Sequence, residues 1–336
     1  MEPRTFKAVV TDHTKMQVIE KEFRDLKPRE VLVKMHSMPI NPNDRYIVSG
    51  FFSFGAKGEY KGVGFEGAGE IVDAGQDVDQ KNIGKKVATL GNPFTVNYQG
   101  SWRQYLYCDF QDCAVYPDDA DYDKMCSTFI NPFACLAMLD FIKKKDAKCV
   151  VQDAACSSLG KMVSRQLTRL GIKVINIVRR EEQVEILMNE GAEYVLDSSA
   201  YDFDLDLNSY MRELKPAIYF AAVGGKLVEK VMFKMPPSST VVLWGSLEDK
   251  DISFSPSVFI FSKLTITYLT MFEWLFNLTK EQKDECKRTI VEDICSDDSI
   301  YASNVLKAFS LDDVEEALKY SIDHASEGKV ILKGFE

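Results

Sequence analysis

The sequence predicts an α/β protein of two domains, a small curved β domain and a doubly wound parallel sheet. Three observations lead to this fold class. Glycine-rich strand patterns fill the first hundred residues, and strand and helix patterns alternate from residue 148 onward. The third observation is the length, because 336 residues are more than one compact hydrophobic core usually holds.

The first hundred residues carry short strand patterns, of which residues 6–10 and 31–35 are the clearest. Four glycines, at positions 62, 64, 67 and 69, lead into a strand at residues 70–72. Glycine lets two backbones approach closely and tolerates sharp curvature, so this region predicts a small β-barrel. Residues 123–144 then have a helical pattern, which we expect Asn131 and Pro132 to break or kink.

Strands and helices alternate in the next part of the chain. The predicted strands are residues 148–152, 173–178, 194–196, 217–221 and 240–243, and the first predicted helices are 159–170 and 181–190. This alternation implies parallel pairing through right-handed crossovers, and therefore a doubly wound sheet. The tail predicts a charged helix from residue 280, a strand near 305, a helix at 311–325 and a last strand at 330–332.

Charge and hydropathy disfavour two classes of partner. Lys and Arg number 41 against 51 Asp and Glu, which gives a net charge of −10. An acidic protein repels phosphate backbones, so no nucleic-acid partner is expected. No apolar run approaches the roughly 20 residues that span a bilayer, so an integral membrane protein is not predicted. No targeting segment is visible at the N-terminus.

The eight cysteines predict neither a disulfide framework nor a metal centre. None forms a Cys-x-x-Cys pair, and no histidine is close enough in sequence to complete a zinc site. In a chain of this size they are best interpreted as reduced, mostly buried thiols of a reducing compartment.

The turn after the first strand of the parallel sheet is the strongest candidate for cofactor binding. Dinucleotide-binding proteins place small residues here, because the pyrophosphate rests on the N-terminus of the following helix. The candidates are Ser157, Ser158, Leu159 and Gly160, of which only the last retains a glycine of the usual fingerprint. The alternative is an ordinary strand-to-helix turn that Ser157 or Ser158 caps.

Arg179 and Arg180 stand about twenty residues further on, at the end of the second strand. NAD-dependent enzymes place an acidic residue there against the adenine ribose, whereas a guanidinium pairs with the 2′-phosphate of NADP. The pair therefore favours NADPH as the cofactor. The alternative is that both arginines are solvated charges at a strand end.

These segments together resemble the medium-chain dehydrogenase/reductase superfamily, and within it the quinone oxidoreductases and the mitochondrial 2-enoyl thioester reductases. The matching stretches cover nearly the whole chain in order; they are residues 30–34, 40–44, 67–72, 131–133, 176–179, 191–195, 223–225 and 259–264. The resemblance implies a GroES-like β-barrel domain at residues 1–124 and 272–336. Residues 125–271 would form a Rossmann domain.

The resemblance also assigns roles to single residues. Arg179 matches the arginine that holds the NADPH phosphate in the enoyl reductases. The nicotinamide is expected near Val223, Gly224, Trp244 and Gly245, the second pair following the fifth strand of the sheet.

Catalytic residues are expected in the barrel domain. Phe52 stands where the enoyl reductases have a tyrosine, and it cannot donate or accept a proton. Tyr46 is the nearest replacement phenol, although a packed barrel aromatic is an equal alternative. Proton delivery is expected from Tyr46 or from solvent, and Asn41 is expected to orient the substrate amide or carbonyl.

A metal ion is not expected. The zinc-dependent members carry cysteine and histidine where this chain has residues 44–46 and Phe65, and the lone Glu66 cannot hold zinc.

The sequence therefore predicts a zinc-independent, NADPH-dependent reductase of an activated carbon–carbon double bond, as in a 2-enoyl thioester, or of a quinone. The alternative is a catalytically weak or inactive relative that serves as a structural or accessory subunit of a larger complex. Phe52 and the serine-substituted turn motivate this alternative. The resemblance further implies a homodimer through a strand at residues 264–268. It places the protein in the mitochondrial matrix, with the cytoplasm as the alternative.

Overall fold

The computed structural model describes residues 5–50, 61–91, 99–248 and 250–335. The chain forms two compact units. Unit 1 consists of Met1–Pro132 and Lys280–Glu336, and unit 2 of Phe133–Thr279.

Unit 1 is built from two sheets. Its strands are β1 Thr5–Thr11, β2 Met16–Glu22, β3 Glu30–Pro39, β4 Lys61–Gly62, β5 Glu66–Ala74, β6 Lys86–Leu90, β7 Tyr105–Asp109 and β8 Cys113–Val115. The tail of the chain adds two strands, here named βC1 Val305–Ser310 and βC2 Lys329–Lys333. One sheet has the order β2-β1-β4, and the other βC1-βC2-β3-β5-β6-β8 with β7 also paired to β3. Many of their buried residues, among them Val33, Met35, Ile71 and Trp102, form one core, and a smaller cluster contains Phe6, Leu32 and Tyr107.

The glycines of this region fulfil the role that the sequence predicts for them. A Cβ atom on Gly69 would lie 2.2 Å from the backbone oxygen of Lys34 on the neighbouring strand β3. A Cβ atom on Gly62 would lie 1.6 Å from the backbone oxygen of Gln99. Only glycine permits these approaches, which curve the sheet around the core.

The helices are α1 Asp44–Val48, α2 Tyr122–Met125, α3 Ile130–Lys144, α4 Ser158–Arg169, α5 Glu181–Asn189, α6 Phe203–Leu214, α7 Gly225–Lys234, α8 Pro256–Ser262, α9 Met271–Phe276, α10 Lys280–Ile294 and α11 Val314–Asp323. The expected break at Asn131 and Pro132 is wrong in position, because the interruption falls at residues 126–129 instead. Pro132 lies in the first turn of α3. Backbone N–H groups of a first turn have no acceptor within the helix, so a proline there costs the helix no hydrogen bond. None of the described helices combines the length and apolar composition needed to cross a bilayer.

Unit 2 contains a six-stranded parallel sheet. Its strands are β9 Cys149–Gln152, β10 Lys173–Val178, β11 Tyr194–Asp197, β12 Ile218–Ala221, β13 Thr240–Leu243 and β14 Thr265–Tyr268. Their order is β11-β10-β9-β12-β13-β14, with every neighbouring pair parallel. The chain winds outward in one direction from β9 to β11 and in the other from β12 to β14. The predicted doubly wound parallel sheet is therefore confirmed.

The unit boundaries fall after residues 132 and 279, whereas the sequence analysis placed them after residues 124 and 271. Helix α3 runs without interruption across the first boundary. At the second, α9 belongs to unit 2, where the indole Nε1 of Trp274 donates to Asp140 Oδ2 of α3 at 3.0 Å.

Candidate functional site

The carboxyl edge of the unit 2 sheet brings together most of the residues that the sequence singles out. Strands β9, β10, β12 and β13 all end at this edge, because they are parallel. The strand order reverses between β9 and β12, and doubly wound sheets bind ligands at that switch point.

The turn after β9 opens helix α4. Ser157 is the N-cap residue of α4, and its Oγ accepts a hydrogen bond from the Gly160 N–H group at 3.1 Å. The hydroxyl of Ser157 therefore caps the helix, as one of the two interpretations of this turn predicts. Ser158 and Leu159 are the first two residues of α4, so their N–H groups have no acceptor within the helix. Backbone N–H groups in this position bind anions.

Gly160 holds α4 tightly against the turn. A Cβ atom at this position would lie 2.5 Å from the backbone oxygen of Ala155 and 2.7 Å from that of Ala154. Ala154 adopts a left-handed conformation with φ of 49°. Dinucleotide-binding folds use their last fingerprint glycine for this close packing of helix against strand.

Asp153, which is not among the residues predicted from the sequence, follows β9 directly. It is 1% exposed, and its Oδ2 accepts a hydrogen bond from the Tyr219 hydroxyl at 2.6 Å. Its Oδ1 accepts from the N–H groups of Ala222 at 2.6 Å and Val223 at 3.3 Å. Burial raises the pKa of Asp153 to about 6. The signal available in the sequence is an acidic residue placed directly after an apolar central strand.

The turn after β12 and the segment after β13 are joined by backbone hydrogen bonds. The N–H groups of Leu247 and Glu248 donate to the oxygens of Ala222 and Val223 at 2.9 and 3.0 Å. Gly224 has a φ of 93°, which favours glycine at this turn. The predicted cofactor residues Val223, Gly224, Trp244 and Gly245 therefore lie on two adjoining segments.

The indole N–H group of Trp244 is a candidate ligand donor. Its indole Nε1 is buried and has no hydrogen-bond partner within the described part of the chain. A buried N–H group without a partner is costly, and such groups often belong to sites that a ligand completes.

Arg179 and Arg180 follow β10, the strand beside β9, and both are exposed. The turn after β9 reaches this strand, because the Ala155 N–H group donates to the Ile177 oxygen at 3.2 Å. The backbone N–H group of Arg179 donates to Gln183 Oε1 at 3.2 Å, which fixes the backbone from which its side chain extends. The structure therefore places both arginines at the end of the strand that the turn after β9 contacts.

Unit 1 contains a buried network of charged and polar groups. Lys329 Nζ donates to Asn41 Oδ1 at 2.7 Å, and Asn41 Nδ2 donates to Glu66 Oε1 at 3.0 Å. Glu66 Oε2 accepts from the N–H groups of Phe129 and Ile130 at 2.7 and 3.0 Å. All three side chains are at most 5% exposed. The network joins βC2 and β5 to the N-terminus of α3.

Asp44 extends the network on its other side. Its Oδ2 accepts from the Asn41 N–H group at 2.7 Å, and its Oδ1 from the Phe65 N–H group at 3.1 Å. Burial raises the pKa of Asp44 to about 8 and also raises the pKa of Glu66. Burial lowers the pKa of Lys329. The carboxylate of Asp44 therefore joins the segment at Asn41 to the backbone of Phe65.

The predicted catalytic residues lie close together in sequence but differ in environment. The amide of Asn41 is 1% exposed and is held between Lys329 and Glu66, so its oxygen and nitrogen both bond within unit 1. Tyr46 lies on α1 and is partly exposed. Phe52 lies outside the described residues. The catalytic roles of Asn41 and Tyr46 stay predictions.

Metal-binding side chains do not cluster in the part of the chain that the structure describes. Within it, no group of three or more His, Cys, Asp or Glu side chains has a geometry suited to an ion. The eight cysteines are free thiols, and five of them are buried.

Known proteins with similar sequences and structures support the two-domain architecture. The family model described as alcohol dehydrogenase GroES-like domain matches residues 27–118, and that described as zinc-binding dehydrogenase matches residues 158–284. A mitochondrial enoyl-[acyl-carrier-protein] reductase of Arabidopsis thaliana is 29% identical over 273 residues, which cover 79% of this chain and 70% of that protein. The Rattus norvegicus protein of the same name is 26% identical over 281 residues, covering 82% and 73%.

A solved structure extends the comparison to the whole fold. The crystal structure of a candidate NADPH:quinone reductase from Mesorhizobium loti has a TM-score of 0.85 at 25% identity, and the alignment covers 99% of both chains. The predicted combination of a GroES-like domain with a Rossmann domain is confirmed.

Proposed function

Because the chain belongs to the medium-chain dehydrogenase/reductase superfamily, as the sequence resemblance predicts, we propose that it is a zinc-independent, NADPH-dependent reductase. Its proposed substrate is the activated double bond of a 2-enoyl thioester, or a quinone. Relatives named as enoyl reductases and a structural neighbour named as a quinone reductase support this choice. The observation that carries the proposal is the carboxyl edge of the unit 2 sheet.

The residues at that edge suit a dinucleotide. The first turn of α4 offers the N–H groups of Ser158 and Leu159 to a pyrophosphate, and Gly160 lets the helix begin close to the strand. Arg179 and Arg180, exposed residues just after the neighbouring strand, provide guanidinium groups that would pair with a 2′-phosphate and so select NADPH over NADH. The buried Nε1 of Trp244 offers a donor to the same ligand.

Bound NADPH supplies a hydride to the electron-poor carbon of the substrate. The protein holds the nucleotide in position and contributes a proton donor. Tyr46 is the proposed donor, because it is a partly exposed phenol on a short helix. Asn41 is proposed to act from within the buried network by fixing the start of the segment that carries Tyr46.

Turnover tests the proposal. Purified protein is mixed with NADPH and either a short 2-enoyl-CoA thioester or a soluble quinone, and the loss of nicotinamide absorbance is followed. Tyr46→Phe is expected to lower kcat by about 100-fold or more, as for the loss of a general acid. Tyr201→Phe, which alters a fully exposed phenol of unit 2, serves as the control. Equal rates in both variants would remove Tyr46 from the mechanism.

A second candidate function is that of an accessory subunit with little or no activity. Large apolar side chains on unit 2 favour it: Leu205 of α6 is 70% exposed and Phe233 of α7 is 73% exposed. Contiguous apolar patches mark surfaces that a protein partner covers, and the helices α6 and α7 that carry these side chains contact each other. Saturable turnover of either substrate by the isolated chain would exclude this candidate, whereas nucleotide binding without turnover would favour it.

The proposed assembly is a homodimer formed through the edge of the Rossmann sheet. Strand β14 is an edge strand, and the nearby helix α8 exposes 69% of Ile260 and 82% of Phe261. Phe261→Asp is expected to shift the sedimentation coefficient from dimer to monomer, and Phe233→Asp on α7 is not. The same coefficient for both variants would contradict this interface.

The proposed compartment is the mitochondrial matrix, since the relatives are named as mitochondrial, with the cytoplasm as the alternative. Imaging of the full chain fused at its C-terminus to a fluorescent protein distinguishes the two.

A further inference from the structure

Asp153 spans the point at which the strand order of the Rossmann sheet reverses. It follows β9, and its carboxylate binds Tyr219 of β12 and the N–H groups of Ala222 and Val223 just beyond that strand. We propose that Asp153 is a positioning residue that holds the turn at residues 222–225 in the shape that receives the nucleotide. This inference rests on the proposed function, because the nucleotide is the ligand that the turn would receive.

The two oxygens of Asp153 have separate tasks. Oδ1 accepts both backbone N–H groups of the turn, at 2.6 Å from Ala222 and 3.3 Å from Val223. Oδ2 accepts only from the Tyr219 hydroxyl, at 2.6 Å. The shape of the turn therefore depends on Oδ1, whereas the contact with the core of the sheet depends on Oδ2.

The turn transmits this contact to the segment after β13. The oxygens of Ala222 and Val223 accept the N–H groups of Leu247 and Glu248, and the Trp244 N–H group donates to the Ala221 oxygen at 3.1 Å. A Cβ atom on Gly245 would lie 3.1 Å from the Ala222 oxygen, so the two segments are in contact. A displaced turn would therefore displace the segment that carries Trp244.

Three substitutions separate positioning from plain structural support. Asp153→Ala removes both sets of hydrogen bonds. Asp153→Asn keeps an oxygen for the two N–H groups, and the Tyr219 hydroxyl can turn to accept from the new amide. Tyr219→Phe leaves the Oδ1 contacts in place but deprives Oδ2 of its partner, so it disturbs the core and not the turn.

The experiment measures the NADPH dissociation constant of each variant by energy transfer from tryptophan to the reduced nicotinamide, beside its melting temperature. Asp153→Ala is expected to weaken binding at least tenfold and to shift the tryptophan emission of the free protein. Asp153→Asn and Tyr219→Phe are expected to bind within threefold of the unsubstituted chain, although Tyr219→Phe lowers the melting temperature. If Asp153→Ala does not fold, Asp153→Ser replaces it, with the same expected direction.

The possible results are distinct. If affinity follows melting temperature across all variants, or if Asp153→Ala binds as well as the unsubstituted chain, the positioning role is wrong while the proposed function stands. If the unsubstituted chain binds neither NADPH nor NADH, the proposed function fails, and the role of Asp153 fails with it.

Discussion

Removal of the Lys329 ammonium group tests the buried network of unit 1. Lys329→Met keeps most of the side-chain volume but removes the donor to Asn41 Oδ1 and the positive charge that favours ionised Glu66. Asn41 bridges Lys329 and Glu66, which form no direct ion pair, and leaving one buried charge without its counterpart typically costs about 3–5 kcal/mol. Glu66 is fully buried and bonded to Asn41, Phe129 and Ile130, so water cannot replace the lost charge. We therefore expect a loss of unfolding free energy within that range.

The assay must report on unit 1 alone, because a chain of two units need not unfold in one step. Trp102 is fully buried in unit 1, whereas Trp244 and Trp274 belong to unit 2. With the latter two changed to phenylalanine, urea unfolding followed by tryptophan fluorescence monitors Trp102. Lys81→Met, which alters a lysine whose side chain is 79% exposed, is expected to change stability by less than about 0.5 kcal/mol.

A double-mutant cycle separates the coupling from the individual losses. Glu66→Gln is expected to destabilise unit 1 as well, because it leaves Lys329 buried without a countercharge. The double variant is expected to be less destabilised than the sum of the single variants, by about 1–3 kcal/mol. A cost below about 1 kcal/mol for Lys329→Met, or additivity within about 0.5 kcal/mol, would refute the network as a coupled unit.

Three further predictions follow. Burial raises the pKa of Asp44 to about 8, well above its unfolded value, so the stability of unit 1 is expected to fall as pH rises from about 4 to 8, by up to about 1.4 kcal/mol per pH unit. Asp44→Asn should flatten that slope in urea titrations at several pH values. Gly160→Ala is expected to weaken NADPH binding, since its Cβ would meet backbone oxygens. Gly171→Ala, where a φ of 69° strains alanine but nothing lies within 4 Å of the Cβ, should lower stability without changing affinity; equal affinities would contradict this. A thiol-reactive chromophore should modify the exposed Cys295 first in the folded protein and all eight thiols in denaturant. Only six reactive thiols in denaturant would show that two cysteines form a disulfide.

The sequence predicts strands β9 to β13 and helices α4 and α5 because each shows its own local period, and these strands are short apolar runs separated by clear turns. Strand β14 was expected from the family resemblance instead. The close backbone approaches at Gly62 and Gly69 were predicted for the same reason, because glycines repeated among strand residues are also a local pattern. The position of the helix break near Pro132 could not be predicted, because proline is compatible both with a break and with a first helical turn.

Lys329, Asp153 and the hydrogen bonds of the buried network were missed for a different reason. Lys329 and Asn41 are separated by 288 residues, and no local pattern shows that the tail of the chain returns to the first strands. In the sequence Asp153 has the pattern of an ordinary polar turn residue. Its contacts depend on the strand order, which places β12 beside β9. Asn41 could be recognised as a candidate, but only the structure shows that its amide lies between Glu66 and Lys329.

Direct nucleotide binding is the measurement that tests the proposed reductase most directly. Purified protein is titrated with NADPH and, separately, with NADH, and tryptophan quenching and energy transfer to the reduced nicotinamide are followed. We expect micromolar binding of NADPH that Arg179→Ala weakens by about 1–3 kcal/mol, as for the loss of a charged hydrogen bond. Arg212→Ala, at another exposed arginine of unit 2, is expected to bind normally. No binding of either nucleotide would contradict hydride transfer by this protein.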